Sequence, residues 1–406
     1  MGAQGTAAAV ASGQSTTHAV APLWLQPLRW TAVLATYAYY HTAYRCRRWG
    51  SMPHRRGPAL LVGNHQHDVE ATVVVSSLTL DTFSWRYPIF SAAGRRMWEP
   101  GFLGNRVPWL DPLLHRLSFG WLFEALGLEP IENELHTRTF ASLAYSLSQA
   151  HGALLLRDVF RESALARLPP ELESLPDLLR QRYADIGRTQ ASLSELNEPY
   201  RGEMLAATRE LLDADRQHFA QLVRSGATVY LTPEGHYSAD GRMRRLRGLF
   251  ATLAPLARIW LAGISYDPFV GRRLSMLWRV VPATEGVALE AQIKASRPVT
   301  TSALLATWLH GRSASFSARD ACDAVQAQLA ALPKGLFVDP ELRARPERMV
   351  RSALAGLQRT GTVRVEGLRY VLTEQRAHPQ FPQTNNMIAF LRNFHEETLE
   401  GARSLA

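Results

Sequence analysis

PALLVGN, residues 58–64, runs directly into HQHDVEA, residues 65–71. A short continuous apolar run that stops at Gly63-Asn64 predicts a buried strand ending in a polar turn. The same event recurs at GATVYLTPEG, residues 226–235, where an apolar run ends at Pro233 and opens into a polar loop. IWLAGISYD, residues 259–267, and SMLWRVV, residues 275–281, are a third and a fourth strand. Helical patterns separate these runs, so the expected fold class is α/β: a central mixed, mostly parallel sheet flanked by helices. Ligands on such sheets gather beyond the strand ends, where both polar turns lie.

Outward from that core, residues 160–224 change character. ELESLPDLLRQRY and EMLAATRELLDADRQHFAQLV both read as helices, and a helical insertion is expected here, either a flap or a lid. From about residue 286 to 406 a small C-terminal domain is expected. VTTSALLATWLHG and ARDACDAVQAQLAAL are helical, and ERMVRSALAGLQRTGTVRVEGLRYVLT reads as a helix followed by a hairpin at Val363–Val365 and Tyr370–Leu372, with Gly367 near its turn. That pattern resembles a winged helix, but its helix offers few polar side chains suited to base edges, so no nucleic acid is expected as a partner.

Residues 1–22 are expected to be a disordered tail. Residues 23–50 read as a membrane-surface helix with a basic linker. Trp30, Leu34, Tyr37, His41 and Tyr44 fall on one helical stripe, and Arg45, Arg47, Arg48, Arg55 and Arg56 follow. Such a pair of features suits an anionic bilayer. The uncharged stretch Trp30–Tyr44 is too short to span one, and residues 1–28 lack the positive start of a signal peptide.

Composition narrows the classes further. The 406 residues are 46% hydrophobic and 20% charged, ordinary for a core-forming protein. Two cysteines, Cys46 and Cys322, support neither a zinc cluster nor a disulfide framework. The net charge of +9 favours anionic partners. The only lysines are Lys294 and Lys334.

The densest polar group is His65, His67, Asp68 and Glu70, directly after the first strand. A strand-end His backed by a carboxylate suits general base catalysis, and Glu70 or Asp68 could supply that carboxylate. No GxSxG nucleophile elbow is present, so the base would act on a substrate hydroxyl or on water. A metal site on His65, His67 and Asp68 is the rival reading, although the order lacks the further ligands that metal loops carry. The second group is TPEGHYSADGRMRRLRGL, residues 232–249, where Glu234-Gly235 precedes Arg242, Arg244, Arg245 and Arg247. Guanidinium forks match phosphate oxygens, and one or two of these arginines are expected to serve a phosphate-bearing ligand.

Together, GPALLVGNHQHDVEA and, some 165 residues later, VYLTPEGHYSADGRMRRLRGL resemble the glycerolipid acyltransferase family, which includes lysophosphatidate and glycerol-3-phosphate acyltransferases. The resemblance covers roughly residues 50–285, and its blocks are N-H-x-x-x-x-D, G-x-x-x-x-x-R, F-P-E-G-T-R-S and a strand near V-P-V. They fall on Asn64 to Glu70, on GLEPIEN at 127–133, on Thr232 to Ser238 and on LAGISYD at 261–267. RPVTTSALLATWLHG, residues 297–311, is fainter in its similarity to longer members. The chain departs from the pattern at Glu70, where the family has Asp. It departs again at Asn133, at His236 and Tyr237, and at Leu261.

The resemblance implies an acyltransferase domain at 51–285. In it His65, oriented by Glu70 or Asp68, takes the proton of an acceptor hydroxyl that attacks the thioester of acyl-CoA or acyl carrier protein. Asn64, Glu234, Gly235, Arg242 and Arg247 are the expected substrate-binding residues, with Arg138 another candidate for the acceptor phosphate. No metal or other cofactor is expected. The expected place is the cytoplasmic face of a membrane, peripherally bound to anionic lipid. A different lipid acceptor, a hydrolase, and an inactive membrane-binding scaffold are the alternatives.

Overall fold

A computed structural model of the chain describes residues 26–51, 58–67, 69–82, 89–98, 117–132, 136–187, 189–235, 238–246 and 248–405. The expected tail at 1–22 lies outside them. In chain order the main elements begin with α1 (Gln26–Ala43), β1 (Arg45–Trp49), β2 (Ala59–Gly63), α2 (Glu70–Thr82) and β3 (Ile89–Gly94). Next come β4 (Leu128–Ile131), β5 (Thr137–Thr139), α3 (Phe140–His151), β6 (Gln190–Ser192), α4 (Tyr200–Arg224) and β7 (Thr228–Leu231). After these follow β8 (Arg258–Asp267), β9 (Ser275–Pro282), α5 (Leu289–Ser296), α6 (Thr301–Leu309) and α7 (Ala318–Ala330). The chain closes with α8 (Pro346–Arg359), β10 (Val363–Glu366), β11 (Arg369–Leu372) and α9 (Met387–Ser404). Two compact units result: Met1–Arg29 with Ala92–Phe219, and Trp30–Ser91 with Ala220–Ala406.

The second, larger unit holds a mixed, mostly parallel sheet in the order β1-β9-β8-β2-β7-β3. All five residues of β2 are buried, as an apolar strand covered on both faces must be. β2 is parallel to β7, with Val62 opposite Leu231, and parallel to β8, with Gly63 opposite Ala262. Both polar turns therefore leave the same end of the sheet. β8 and β9 form the one antiparallel pair in this order, and β1 runs parallel to β9 at the edge.

The C-terminal region is not the separate domain expected at 286–406. One apolar core runs from Leu61, Val74 and Ile264 through Leu305, Leu354 and Phe390, so α6, α8 and α9 share it with the sheet. The hairpin forms as read, with Gly367 in its turn, but Tyr370 bridges to Phe316 and stacks on its ring. Gly356 of α8 marks how close this packing is. A Cβ there would lie 1.8 Å from the carbonyl oxygen of Phe269. Backbone cannot yield as a flexible side chain can, so Gly356→Ala is expected to cost about 3 kcal/mol or more. Urea denaturation measures this, and a midpoint unchanged from wild type would refute the close packing.

The smaller unit has its own core, built by Phe140, Leu147, Phe160, Leu175, Leu178 and Leu193. It starts at Ala92, well before the insertion expected at 160–224. The helix expected over ELESLPDLLRQRY is replaced by two 3₁₀ turns, Leu175–Leu179 and Gln181–Tyr183. Ser174 and Asp177 form a capping box there, Pro176 sits inside the first turn, and Arg180 is extended. Proline removes the amide that a longer helix would need. The other expected helix is α4.

Residues 45–49 are an edge strand rather than a basic linker. Arg45 pairs with Glu341 at 2.5 Å, Arg47 with Asp339 at 2.7 Å, and Arg48 with Asp81. Their charges are answered within the protein, so they do not form a free cationic patch. Arg55 and Arg56 lie outside the described residues. On the expected stripe of α1, Leu34 is 52% exposed, whereas Trp30, Tyr37, His41 and Tyr44 are half-buried. No helix among the described residues is long and apolar enough to cross a membrane.

Candidate active site

The turn after β2 is built by Asn64, whose side chain is buried. Its Nδ2 donates to the Ile264 carbonyl at 3.0 Å, and its Oδ1 accepts from the Ile264 amide at 2.8 Å. The amide thus adds a rung between β2 and β8. Asn64 was expected to bind substrate, and its hydrogen-bonding groups are spent on the fold instead.

His65 follows, and α2 begins five residues later at Glu70. Glu70 is fully buried. One oxygen, Oε1, accepts the backbone amides of Gln66 at 2.9 Å and His67 at 3.0 Å. The other, Oε2, lies 2.7 Å from Nδ1 of His65, whose side chain is 19% exposed. Two amide donors hold the carboxylate as an acceptor, so Nδ1 carries the hydrogen and Nε2 is the basic nitrogen. The extra methylene of Glu, relative to Asp, is taken up without loss of this contact. Asp68 lies outside the described residues.

The second turn, after β7, closes with the Gly235 amide donating to Thr232 O at 3.0 Å and with Gly235 at φ +73°. That left-handed conformation suits glycine. It presents Glu234, which is buried. Glu234 Oε1 accepts the His65 amide at 2.9 Å, and Oε2 accepts the Arg244 amide at 2.9 Å. Burial raises the pKa of Glu234 above the usual carboxylate range, and the positive charge of Arg297 opposes that rise. Glu234 was expected to shape the acceptor site. It holds the backbone that carries His65.

Tyr230 of β7 is wholly buried, and its hydroxyl has no hydrogen-bond partner among the described residues. Burial raises its pKa well above the ordinary phenol value, and the charges of Glu70 and Glu234 add to the rise. A neutral phenol therefore sits within the field of both carboxylates.

His67 has partners of its own. Its Nε2 is 2.9 Å from the Gln380 carbonyl, and its ring packs against Tyr44, Tyr266 and Phe381. Among the described residues no group of three His, Cys, Asp or Glu side chains could hold a metal ion.

The arginines expected at an acceptor phosphate are dispersed. Arg242 is exposed and 3.8 Å from Glu396. Arg244 enters through its backbone amide only, in the contact with Glu234 given above. Arg247 lies outside the described residues, as do Asn133, His236 and Tyr237. Arg138 belongs to the smaller unit, where it bonds Glu132 at 2.9 Å and Thr208 at 3.2 Å. Sequence reading missed Arg297 and Glu397, a buried pair at 3.2 Å. An arginine at the head of the apolar run RPVTTSALL was the available signal.

No protein-family model matches this chain. No curated protein matches it either.

Proposed function

We propose that this chain is an O-acyltransferase that moves a fatty acyl group from acyl-CoA or acyl carrier protein to a hydroxyl of a glycerol-phosphate or lysophospholipid-type acceptor. One observation carries the reading: a solvent-reaching His65 backed at 2.7 Å by the buried Glu70, at the end of a central parallel strand. Nε2 takes the acceptor hydroxyl's proton as that oxygen attacks the thioester carbonyl. The tetrahedral oxyanion then collapses and expels thiolate, which leaves with a proton from the imidazolium. The buried carboxylate stabilises that imidazolium. General base catalysis supplies about 10²–10⁴ in rate, so positioning and oxyanion donors supply the remainder.

The outward face of α1 supports a peripheral place on a membrane. Leu28, Thr31, Leu34, Ala35, Ala38, Tyr39 and Thr42 are exposed, and none is charged. Such a face suits burial among lipid headgroups and upper acyl chains.

A second reading, an acceptor without phosphate or one bearing an amine, is favoured by the engagement of Arg138 and the outward position of Arg242. One assay tests both. Thiol release from palmitoyl-CoA is measured with no acceptor, with glycerol 3-phosphate, with lysophosphatidate and with an amine-bearing lysolipid. Release that depends on a phosphate acceptor is the expected result. Release with the amine lipid alone would select the second reading. Equal release without acceptor would mean a hydrolase, and none with any donor would leave a scaffold.

A further inference from the structure

The C-terminal helix α9 is tied to the turn that holds His65 through consecutive backbone amides. Glu397 of α9 is 4% exposed, and its Oε2 accepts the Met243 amide at 2.8 Å. The next amide, Arg244, donates to Glu234 Oε2, and Glu234 Oε1 in turn accepts the amide of His65. Glu397 is itself fixed by two cations. Arg297 Nη1 lies 3.2 Å from Oε2, and Lys294 Nζ lies 3.3 Å from Oε1 and 2.8 Å from Glu290.

Arg297 is 1% exposed, and its guanidinium lies 4.3 Å above the Phe394 ring. Burial lowers its pKa, and Glu397 and then Glu234 offset part of that. Ion clusters of this kind are poor devices for stability, because apolar residues of equal volume often serve as well or better. This one joins the carboxylate that holds the histidine's backbone, so its cost has a use at the site.

We propose that Arg297 and Glu397 are positioning residues for His65: they fix the 243–244 backbone and with it Glu234, and Glu234 holds the histidine in place. The inference rests on His65 being the base of the proposed acyl transfer. Glu234 is faced by His65 across the turn, by the Arg244 amide in its own loop, by Tyr230 on β7 and by Arg297 at the end of α5. Among these Arg297 is the cation that favours its ionised form most. Removal of that charge leaves the rise from burial less opposed, and Glu234 then takes up a proton at higher pH. A protonated Glu234 has a hydroxyl where it must accept an amide, and the clamp on His65 or on Arg244 opens.

The test uses the full chain as Arg297→Met, Arg297→Lys and Glu397→Gln, with palmitoyl-CoA and lysophosphatidate as substrates. Expected for Arg297→Met is a fall in kcat of about 10² with KM for palmitoyl-CoA little changed, the size of effect that a small misplacement produces. The acid limb of kcat moves to higher pH, and Arg297→Lys restores both. Glu397→Gln gives the same loss of kcat. In protein labelled with ¹⁵N-histidine, the His65 amide resonance, identified by its absence from His65→Ala, shifts in Arg297→Met and Glu397→Gln. Folded variants with a wild-type pH profile and an unmoved His65 resonance overturn the proposal, whatever their rates. Should Arg297→Met fail to fold, the kcat and the His65 resonance of Glu397→Gln decide. If the wild type transfers no acyl group, the acyltransferase reading fails, and the resonance still decides whether the relay exists.

Discussion

Glu70→Gln is expected to lower kcat for acyl transfer by about 10⁴ while leaving the fold in place. The amide is nearly isosteric with the carboxylate, and its oxygen can still accept from the Gln66 and His67 amides. Its NH₂ group then faces Nδ1 of His65. Two donors cannot share one hydrogen bond, so the imidazole must shift its hydrogen to Nε2. The nitrogen that should take the acceptor's proton then already carries one. An amide in place of the orienting carboxylate of a catalytic histidine costs about 10⁴ through this wrong tautomer. His65→Ala should lose a comparable factor, and combining the two should cost little more, because they act as one unit. Thiol release in the presence of acceptor measures all three. Asp68→Asn is the companion variant: if it, and not Glu70→Gln, removes activity, the carboxylate assignment is wrong.

Acidification should weaken this fold sharply between pH 6.5 and 4. His378 and His395 are buried at 6% and 3% exposure, and burial lowers the pKa of each to about 4. In the unfolded chain both take up protons near 6.5, so their contribution is complete above that pH and is lost as pH falls towards 4. Each is worth roughly 3 kcal/mol across this window. Asp267 works in the opposite sense. Wholly buried, its pKa is pushed up to about 6, so its contribution is present at low pH and lost as pH rises through 6. That offsets roughly 2–3 kcal/mol of the histidine effect on acidification, and Glu234, also raised, adds in the same direction. The histidines prevail, and a net loss of roughly 3–4 kcal/mol is expected. Urea denaturation at pH 7, 5 and 4 would measure it, with His395→Gln flattening the slope. Stability that stays level or rises on acidification would show that these histidines are not held neutral.

Local signals carried much of the sheet. PALLVGN, TVYL, IWLAGISYD and SMLWRVV are apolar runs that end at turn residues, and β2, β7, β8 and β9 lie on them. The strand RCRRW was not legible, since its residues satisfy no hydrophobic pattern. What makes it a strand is the edge of β9 together with Asp339, Glu341 and Asp81, the first two nearly 300 positions away in sequence. The failed helix over 171–183 had a local signal in Ser174-Leu-Pro-Asp177, which a periodicity count overlooks. At the site, the proximity of His65 and Glu70 could be read because both lie in one short turn. Asn64 and Glu234 were expected to bind substrate on the strength of the family resemblance. Only the partner strands reveal that Ile264 and the His65 amide claim those side chains. Arg297 and Glu397 stand 100 residues apart and could not be paired from their spacing.

The order of the sheet also sets a schedule for synthesis. β2 is made early, but both of its neighbours come late: Asn64 waits 200 residues for Ile264. At 5–20 residues per second a ribosome needs roughly 10–40 s to supply that partner. Until β7 is made, the five buried residues of β2 have no strand to pair with. The smaller unit, which ends at Phe219, is made before either neighbour of β2. A nascent chain with its middle folded and its first strands bare is a natural client for a holding chaperone.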